Sequence, residues 1–550
     1  MRRPLLVLAA VLVAGVVAVA PAAGVLQQTP KRGGTVVFGP VAESSCLNPL
    51  ATPACGVGPQ AGWVWAKVLM PAFAMAPDFT RRPALVAAVE YTTEPPFTLT
   101  YHIRPEARWS DGVPVTSRDF VFTHRAIVAQ TPAEALEEST HGLVESIRIV
   151  NSKTFSVVLR ERTADYRSLF WLVLPRHALV GRDLQEVWSD GIDNLTTGRP
   201  IGSGPFLVER LERGKQLTLV RNPRYWGPHT AYLDRLVVRF CENCLAPSPA
   251  EVLESMRTGA VDLAYERDTV TAPDLRRIPG TRVLLYRTNG WEHLTLRLGA
   301  GGHPALRNKL VRQALAYGID RAEIVRRLWG ALDPSYPVLQ SAVLLGSDRY
   351  YARNWDGYSY RPALARSLLE RAGCRRGVDR IYECGGERLS IRFVTSAGAP
   401  QRVRGVELMQ GQLRDVGIEV VPTYVAPSAF FGEPDGILAR RQFEAASFAW
   451  INQTGLGQKS VYGCGAGSNF TGYCQRLVTA DLDQADRIFD DAQRGRVLNR
   501  VDRQLAKDVP SIPIYQIPYV LAYKNTLRNV VPSPDSLFWN AESWWLAQSR

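Results

Sequence analysis

The stretch "ARWSDGVPVTSRDFVFTHRA", residues 107–126, gathers Trp109, Ser110, Asp111, Thr116, Asp119 and His124 within one short run. These are residue types that catalysts use, but their spacing is that of a structural device. Upstream, Phe97, Leu99, Tyr101 and Ile103 alternate with polar residues, the period of a half-buried strand. "SDG" is a turn signal, because Asp-Gly favours the backbone angles a turn needs. Thr116 stands three residues before Asp119, a capping signature. Phe120, His124 and Ile127 then follow at helical spacing. The stretch therefore reads as strand, turn and capped helix, with Trp109 as an apolar flank. His124 is read as a packed or surface helix residue rather than a catalyst.

The same signals extend outward. Ile147 and Ile149, then "NSK", then Phe155, Val157 and Leu159 predict a hairpin. Leu217 and Leu219, and Leu236, Val238 and Phe240, predict further strands. Ser248, Pro249 and Glu251 open a helix that Gly259 stops. Asp320, Glu323 and Gly330 repeat the device. "QRVRGVELMQGQLRDVGIEVVPTYV" reads as a helix ended by Gly417 and followed by a strand. The second half thus alternates helix and strand, as in an α/β lobe.

The 550-residue chain is 46% hydrophobic, enough for large cores rather than disorder. Arg2 and Arg3 precede an apolar run, Leu5 to Ala20, followed by small residues: a secretory signal pattern. Residues 1–28 are read as that signal, or as an uncleaved anchor, since Leu5 to Leu26 is just long enough to span. No Cys follows the run closely, so no lipid attachment is expected. The formal net charge of +13 is spread thinly, without the dense basic block of a nucleic-acid binder. Eight Cys is an even count for an exported chain. Short Gly-, Pro- or polar-rich spacers predict the pairs Cys46–Cys55, Cys241–Cys244, Cys374–Cys384 and Cys464–Cys474. The zinc and redox readings of "CENC" lack, respectively, a second ligand pair and a following helix start.

Four segments together resemble the extracytoplasmic solute-binding proteins of peptide-type (family 5) ABC importers: "YHIRPEARWSDGVPVTSRDFVFTHRAI", "GSGPFLVERLERGKQLTLVRNPRYWG", "VLESMRTGAVDLAY" and "LVRQALAYGIDRAEIVRRLWG". The resemblance implies an α/β, two-lobed periplasmic-binding-protein type II clamp with an extra subdomain in lobe one. It places lobe one at 29–69, 199–291 and 509–550, the extra subdomain at 70–198, and lobe two at 292–508. The crossovers between lobes would fall near "TNGWEHLTLRL" and "PSIPIYQIPYVLAYK". Such clamps close by hinge bending.

No local motif of hydrolase, metalloprotease or nucleotide-binding chemistry is present. A secreted hydrolase and an envelope signalling or structural protein remain as alternatives. The resemblance implies a binding protein, not an enzyme: a monomer without cofactor or metal, whose partners are a peptide or peptide-like ligand and ABC permease subunits. A sugar or a metal complex is the alternative ligand. Oligopeptide-binding members use a Trp followed three residues later by an Asp that pairs with the peptide's amino terminus. In "FAWINQTGLGQ" Trp450 matches the Trp, and Gln453 stands where that Asp would be, with Ala449 and Asn452 beside them. In "SSCLNPL", Ser45 and Asn48 fall in the run that enters the cleft, Asn48 replacing the usual acid. Both departures remove negative charge. Glu433, Asp435 and Glu444 are the acids near enough in sequence to substitute.

Overall fold

Two long strands, Thr281–Leu296 and Ser511–Lys524, pair antiparallel and pass through the two largest hydrophobic cores of the described residues. The computed structural model describes residues 29–44, 48–50, 59–131, 136, 139–187, 198–241, 247–266, 271–397, 399–432, 435–451 and 457–547. Tyr286, Leu521 and Tyr523 belong to the first core, whereas Trp291, Leu294, Leu296, Ile512, Ile514 and Tyr515 belong to the second. Around this pair the described residues form a ten-stranded mixed sheet. On one side lie Ala445–Ile451, Ser390–Ser396 and Glu419–Val425. On the other lie Leu263–Glu266, Thr35–Val41, Arg235–Phe240, Gln216–Arg221 and Phe206–Glu212. Helix Pro400–Val416 links the parallel strands Ser390–Ser396 and Glu419–Val425, the crossover that parallel pairing requires. It ends, as expected, at Gly417 with φ +99°, a left-handed conformation that a Cβ disfavours.

The opening stretch folds as predicted. Strand Phe97–Ile103 buries Leu99, Tyr101 and Ile103 and lies in a four-stranded sheet with Val86–Tyr91, Thr154–Leu159 and Val144–Asn151. Helix Ser117–Gln130 follows. The Asp119 carboxylate accepts the backbone N–H of Thr116 at 2.7 Å and that of Arg176 at 2.9 Å. His124 and His141 lie ring nitrogen to ring nitrogen at 3.0 Å, packed between elements. Ser248 and Asp320 cap their helices through the N–H groups of Glu251 and Glu323.

The quoted motifs knit this four-stranded unit to the large sheet. Ser110 donates to Pro200 O at 2.9 Å, Arg224 donates to Asp111 O at 3.0 Å, and His177 sits 2.8 Å from the Asp111 carboxylate. In "GSGP" the N–H groups of Ser203 and Gly204 both reach Val68 O at 3.0 Å. A Cβ at Gly204 would stand 2.1 Å from Lys67 O, so the helix end tolerates only glycine there. Trp226 Nε1 donates to Ser203 O at 2.9 Å, and Asn222 donates to Gly204 O at 2.8 Å.

Two of the predicted disulfides are formed, Cys374–Cys384 and Cys464–Cys474. Cys241 is disulfide-bonded as well. Cys46, Cys55 and Cys244 lie outside the described residues, as do residues 1–28. No helix of the described residues is long and apolar enough to cross a membrane.

Asp119→Ala orphans two backbone donors at the root of the four-stranded unit. We expect it to cost about 2–4 kcal/mol in chemical denaturation, with Asp119→Asn costing less.

Candidate functional site

Trp450 lies near the end of strand Ala445–Ile451, directly opposite Trp291 of the crossover strand, with Ala449 opposite Glu292. Strand alternation puts Trp450 on one face with Phe448 and sends Ala449 and Ile451 to the other. The Trp450 indole is nearly parallel to the Phe470 ring, 8° between planes and 5.6 Å between centroids. Phe448 meets it edge-on at 5.2 Å, and His293 lies at 6.1 Å. Phe470 is carried by the loop that Cys464–Cys474 closes, and Arg297 Nη1 holds its carbonyl at 3.1 Å. Trp450 and Phe470 each remain half-buried, so together they form an aromatic wall with an accessible side.

Behind the wall is a buried ion pair. Arg402 grips both carboxylate oxygens of Glu292, at 2.8 and 3.0 Å, and Ser447 donates to the same carboxylate at 2.9 Å. The side chains are 11% and 6% exposed, so the pair is desolvated and each charge requires the other. Burial works against the Arg402 charge, yet the Glu292 carboxylate holds its pKa above the usual value. His293 is fully enclosed beside them. Burial pushes it down to about 3, and the Arg402 charge acts in the same direction.

Of the residues expected to meet ligand, Trp450 and Ala449 are placed as described, whereas Ser45, Asn452 and Gln453 lie outside the described residues. Asn48 is 2% exposed, and its amide is occupied within the protein: Nδ2 donates to Gln130 and Oδ1 accepts from Leu50 N–H. Among the acids near Gln453 in sequence, Asp435 is paired with Arg440, and Glu444 accepts the N–H of Arg392 at 2.7 Å. Glu433 lies outside the described residues. Phe470, Glu292 and Arg402 carry the wall without any local signal. Each meets its partner only through the fold, although the Cys464–Cys474 spacing did mark the loop that delivers Phe470.

A larger cavity, about 740 Å³, opens within the first body, walled by Trp171, Tyr225, Trp226 and Trp539 with Lys67 and Arg81 at its polar edge. Its size is that of a small-molecule site. A smaller one, about 210 Å³, lies between the two bodies and shares Arg81 with it.

Residues 80–472 match the model of bacterial extracellular solute-binding proteins, family 5. The chain belongs to that family. The oligopeptide-binding protein OppA of Mycobacterium tuberculosis is 28% identical over 456 residues, covering 80% of this chain and 73% of OppA. The periplasmic EDTA-binding protein EppA superposes with a TM-score of 0.78 at 21% identity, covering 95% of this chain and 98% of EppA. The oligopeptide-binding protein AppA of Bacillus subtilis, solved with a nonapeptide, gives 0.70 at 19% identity, covering 94% and 100%. The fold is therefore the two-lobed α/β clamp that the motifs implied.

His293 and His141, the latter also pushed down to about 3 by burial and by its neighbour His124, make the protein acid-sensitive. The unfolded chain takes up protons near pH 6.5 that the folded histidines refuse. Stability is thus full above pH 6.5 and is lost as pH falls from there towards 3, by about 2 kcal/mol per histidine at pH 5. Denaturation at pH 7.5 and pH 5 should show this loss, and His293→Phe should remove about half of it.

Proposed function

We propose that this chain is an extracytoplasmic solute-binding protein that captures a peptide or peptide-like ligand between its lobes. It hands that ligand unaltered to the permease of an ABC importer and works as a monomer. Family membership over residues 80–472 carries this reading. The kinship with OppA, and with AppA in its nonapeptide complex, supports a peptide as the ligand class. The division into lobe one at 29–69, 199–291 and 509–550, extra subdomain at 70–198 and lobe two at 292–508 accords with the two cores. So does a hinge in the paired strands. Residues 1–28 are proposed as the export signal or anchor, and Cys46–Cys55 and Cys241–Cys244 as the other two bridges.

The ligand lies against the wall of Trp450 and Phe470, with Asn452 and Gln453 supplying polar groups beyond it. A free α-ammonium buried there needs a charged partner, because an unpaired buried charge is costly. Gln453 offers a carbonyl acceptor and an NH₂ donor instead. Glu292, Asp435 and Glu444 are engaged within the protein. The site therefore suits a blocked peptide terminus, an amide, a hydroxyl or a carboxylate. The net charge of +13 leans the same way, towards neutral or anionic solutes, and keeps a chelate of the EDTA type as the second reading.

Native mass spectrometry of the secreted protein should reveal a co-purified ligand. In calorimetry with matched free and N-acetylated oligopeptides, the wild type should be indifferent to acetylation or prefer it. Gln453→Asp should shift preference towards the free amine by roughly tenfold, the worth of one charge-assisted hydrogen bond. Tight wild-type binding that acetylation abolishes would overturn the role given to Gln453. Binding of no peptide at all, with a chelate retained, would replace the ligand class.

A further inference from the structure

Phe489 lies, in sequence, between two helices of the second core, Arg476–Ala485 and Asp491–Asp508, yet it is buried in the first. Its ring lies 4.3 Å from that of Tyr91 and 5.4 Å from that of Tyr166, with the Arg162 guanidinium 4.4 Å above it. The exchange is reciprocal. Phe79, in the turn between strands Phe73–Met75 and Arg81–Pro83 of the first body, packs against the second core. Its φ of +62° lies in the left-handed region, which a bulky side chain seldom adopts. Such strain persists only where surrounding contacts offset it.

Polar ties run beside the two rings. Ala164 N–H donates to the backbone carbonyl of Asp486 at 2.6 Å. Arg167 meets Asp491 at 3.5 Å, and Arg487 meets Glu161 at 3.8 Å. The cavity of about 210 Å³ between the bodies, with Phe79, Asp165, Leu344 and Arg494 in its walls, shows that the rest of this seam is loosely filled. None of these residues lies on the two crossover strands, and neither Phe79 nor Phe489 belongs to the Trp450 wall.

We propose that Phe79 and Phe489 form a reciprocal latch that sets the open–closed balance of the clamp without touching the ligand. Contacts made in only one state shift an equilibrium by their own free energy. Given the binding function proposed above, apparent affinity would follow the population of the competent state. Asp486 supports the assignment. Burial pushes its carboxyl up to about 7, against Arg494 and Lys459 and with Asp483 and Asp165. Glu161, Arg162, Arg167, Arg487 and Asp491 are the other charged groups beside the two rings, and Asp78, Arg81, Asp348 and Arg349 line the cavity. Opening returns Asp486 to water and its ordinary pKa, so the latched form binds the proton better: that preference is full below about pH 4 and is lost as pH rises from there to about 7.

The test needs no ligand, so it stands or falls apart from the transport reading. At pH 6, small-angle scattering of the unliganded chain should show a larger radius of gyration for Phe79→Ala and for Phe489→Ala than for wild type. The double variant should be no larger than the larger single, because both rings guard one event. Exchange of the Ala164 amide should quicken roughly tenfold or more in Phe79→Ala, since that amide's acceptor lies across the seam. Wild-type scattering and Ala164 exchange in both variants, with unchanged circular dichroism, would overturn the latch. Phe79→Ala and Phe489→Leu carry the test if Phe489→Ala does not fold.

Discussion

The rest of the structure depends on one ladder: the antiparallel pairing of Thr281–Leu296 with Ser511–Lys524. Each strand enters from one core and leaves into the other, so each lobe is built on a half of the same pair. The ladder is not uniform. Arg287 faces Pro518 and Trp291 faces Gln516, so three residues on one strand oppose one on the other. A second shift separates Glu292, opposite Tyr515, from His293, opposite Pro513. Proline has no N–H to give, and in a central strand it belongs where pairing already breaks. At the first break side chains take over: Gln516 Nε2 donates to Thr288 O at 2.7 Å, and Thr288 Oγ1 to Ile517 O at 2.9 Å. The strands stay tied where their regular ladder stops. A connection can bend there without leaving buried polar groups orphaned.

The same return strand organises lobe two from within. Arg321, 3% exposed, spends its guanidinium on Leu339 O, Pro513 O, Trp355 O, Tyr358 O and the Gln340 side chain, between 2.9 and 3.1 Å. Burial draws its pKa down to about 10, which leaves it fully charged at neutral pH. A planar donor fork that meets five acceptors is a device only Arg provides. One residue of the "IDR" motif therefore fastens a loop, a helix and the crossover together.

Much of this was legible in the sequence because it is local. Alternation exposed the strands 97–103 and 144–159, and Asp119, Ser248 and Asp320 announced their helices by spacing alone. The Cys374–Cys384 and Cys464–Cys474 bridges close short loops, and proximity in sequence is most of what pairs them. What the sequence hid is nonlocal. Glu292 and Arg402 lie 110 residues apart, with nothing in either neighbourhood to mark a buried pair. Phe489 reads as one more apolar residue between two helices, and only the tertiary structure shows that it packs on the other core. Asn48 sits where ligand contact was expected, but an Asx turn and Gln130 use both ends of its amide. Sequence position names the loop; the hydrogen bonds decide whether its side chain is free.

The aromatic wall shows how the clamp reconciles rigidity with a permissive site. Trp450 is held by a strand ladder, and Phe470 by a disulfide loop and the Arg297 guanidinium, so the parallel setting of the two rings is fixed by the protein's own bonds. The carboxylate behind them, Glu292, is neutralised by Arg402, and the Arg297 guanidinium donates to the carbonyls of Ala300 and Phe470. The wall therefore presents π faces, with the Arg297 cation behind Phe470. Stacking on such faces rewards flat or apolar surface with little regard to sequence. Any selectivity beyond flat or apolar surface therefore has to be supplied by polar groups outside the two rings, which fix a ligand's orientation where stacking alone does not.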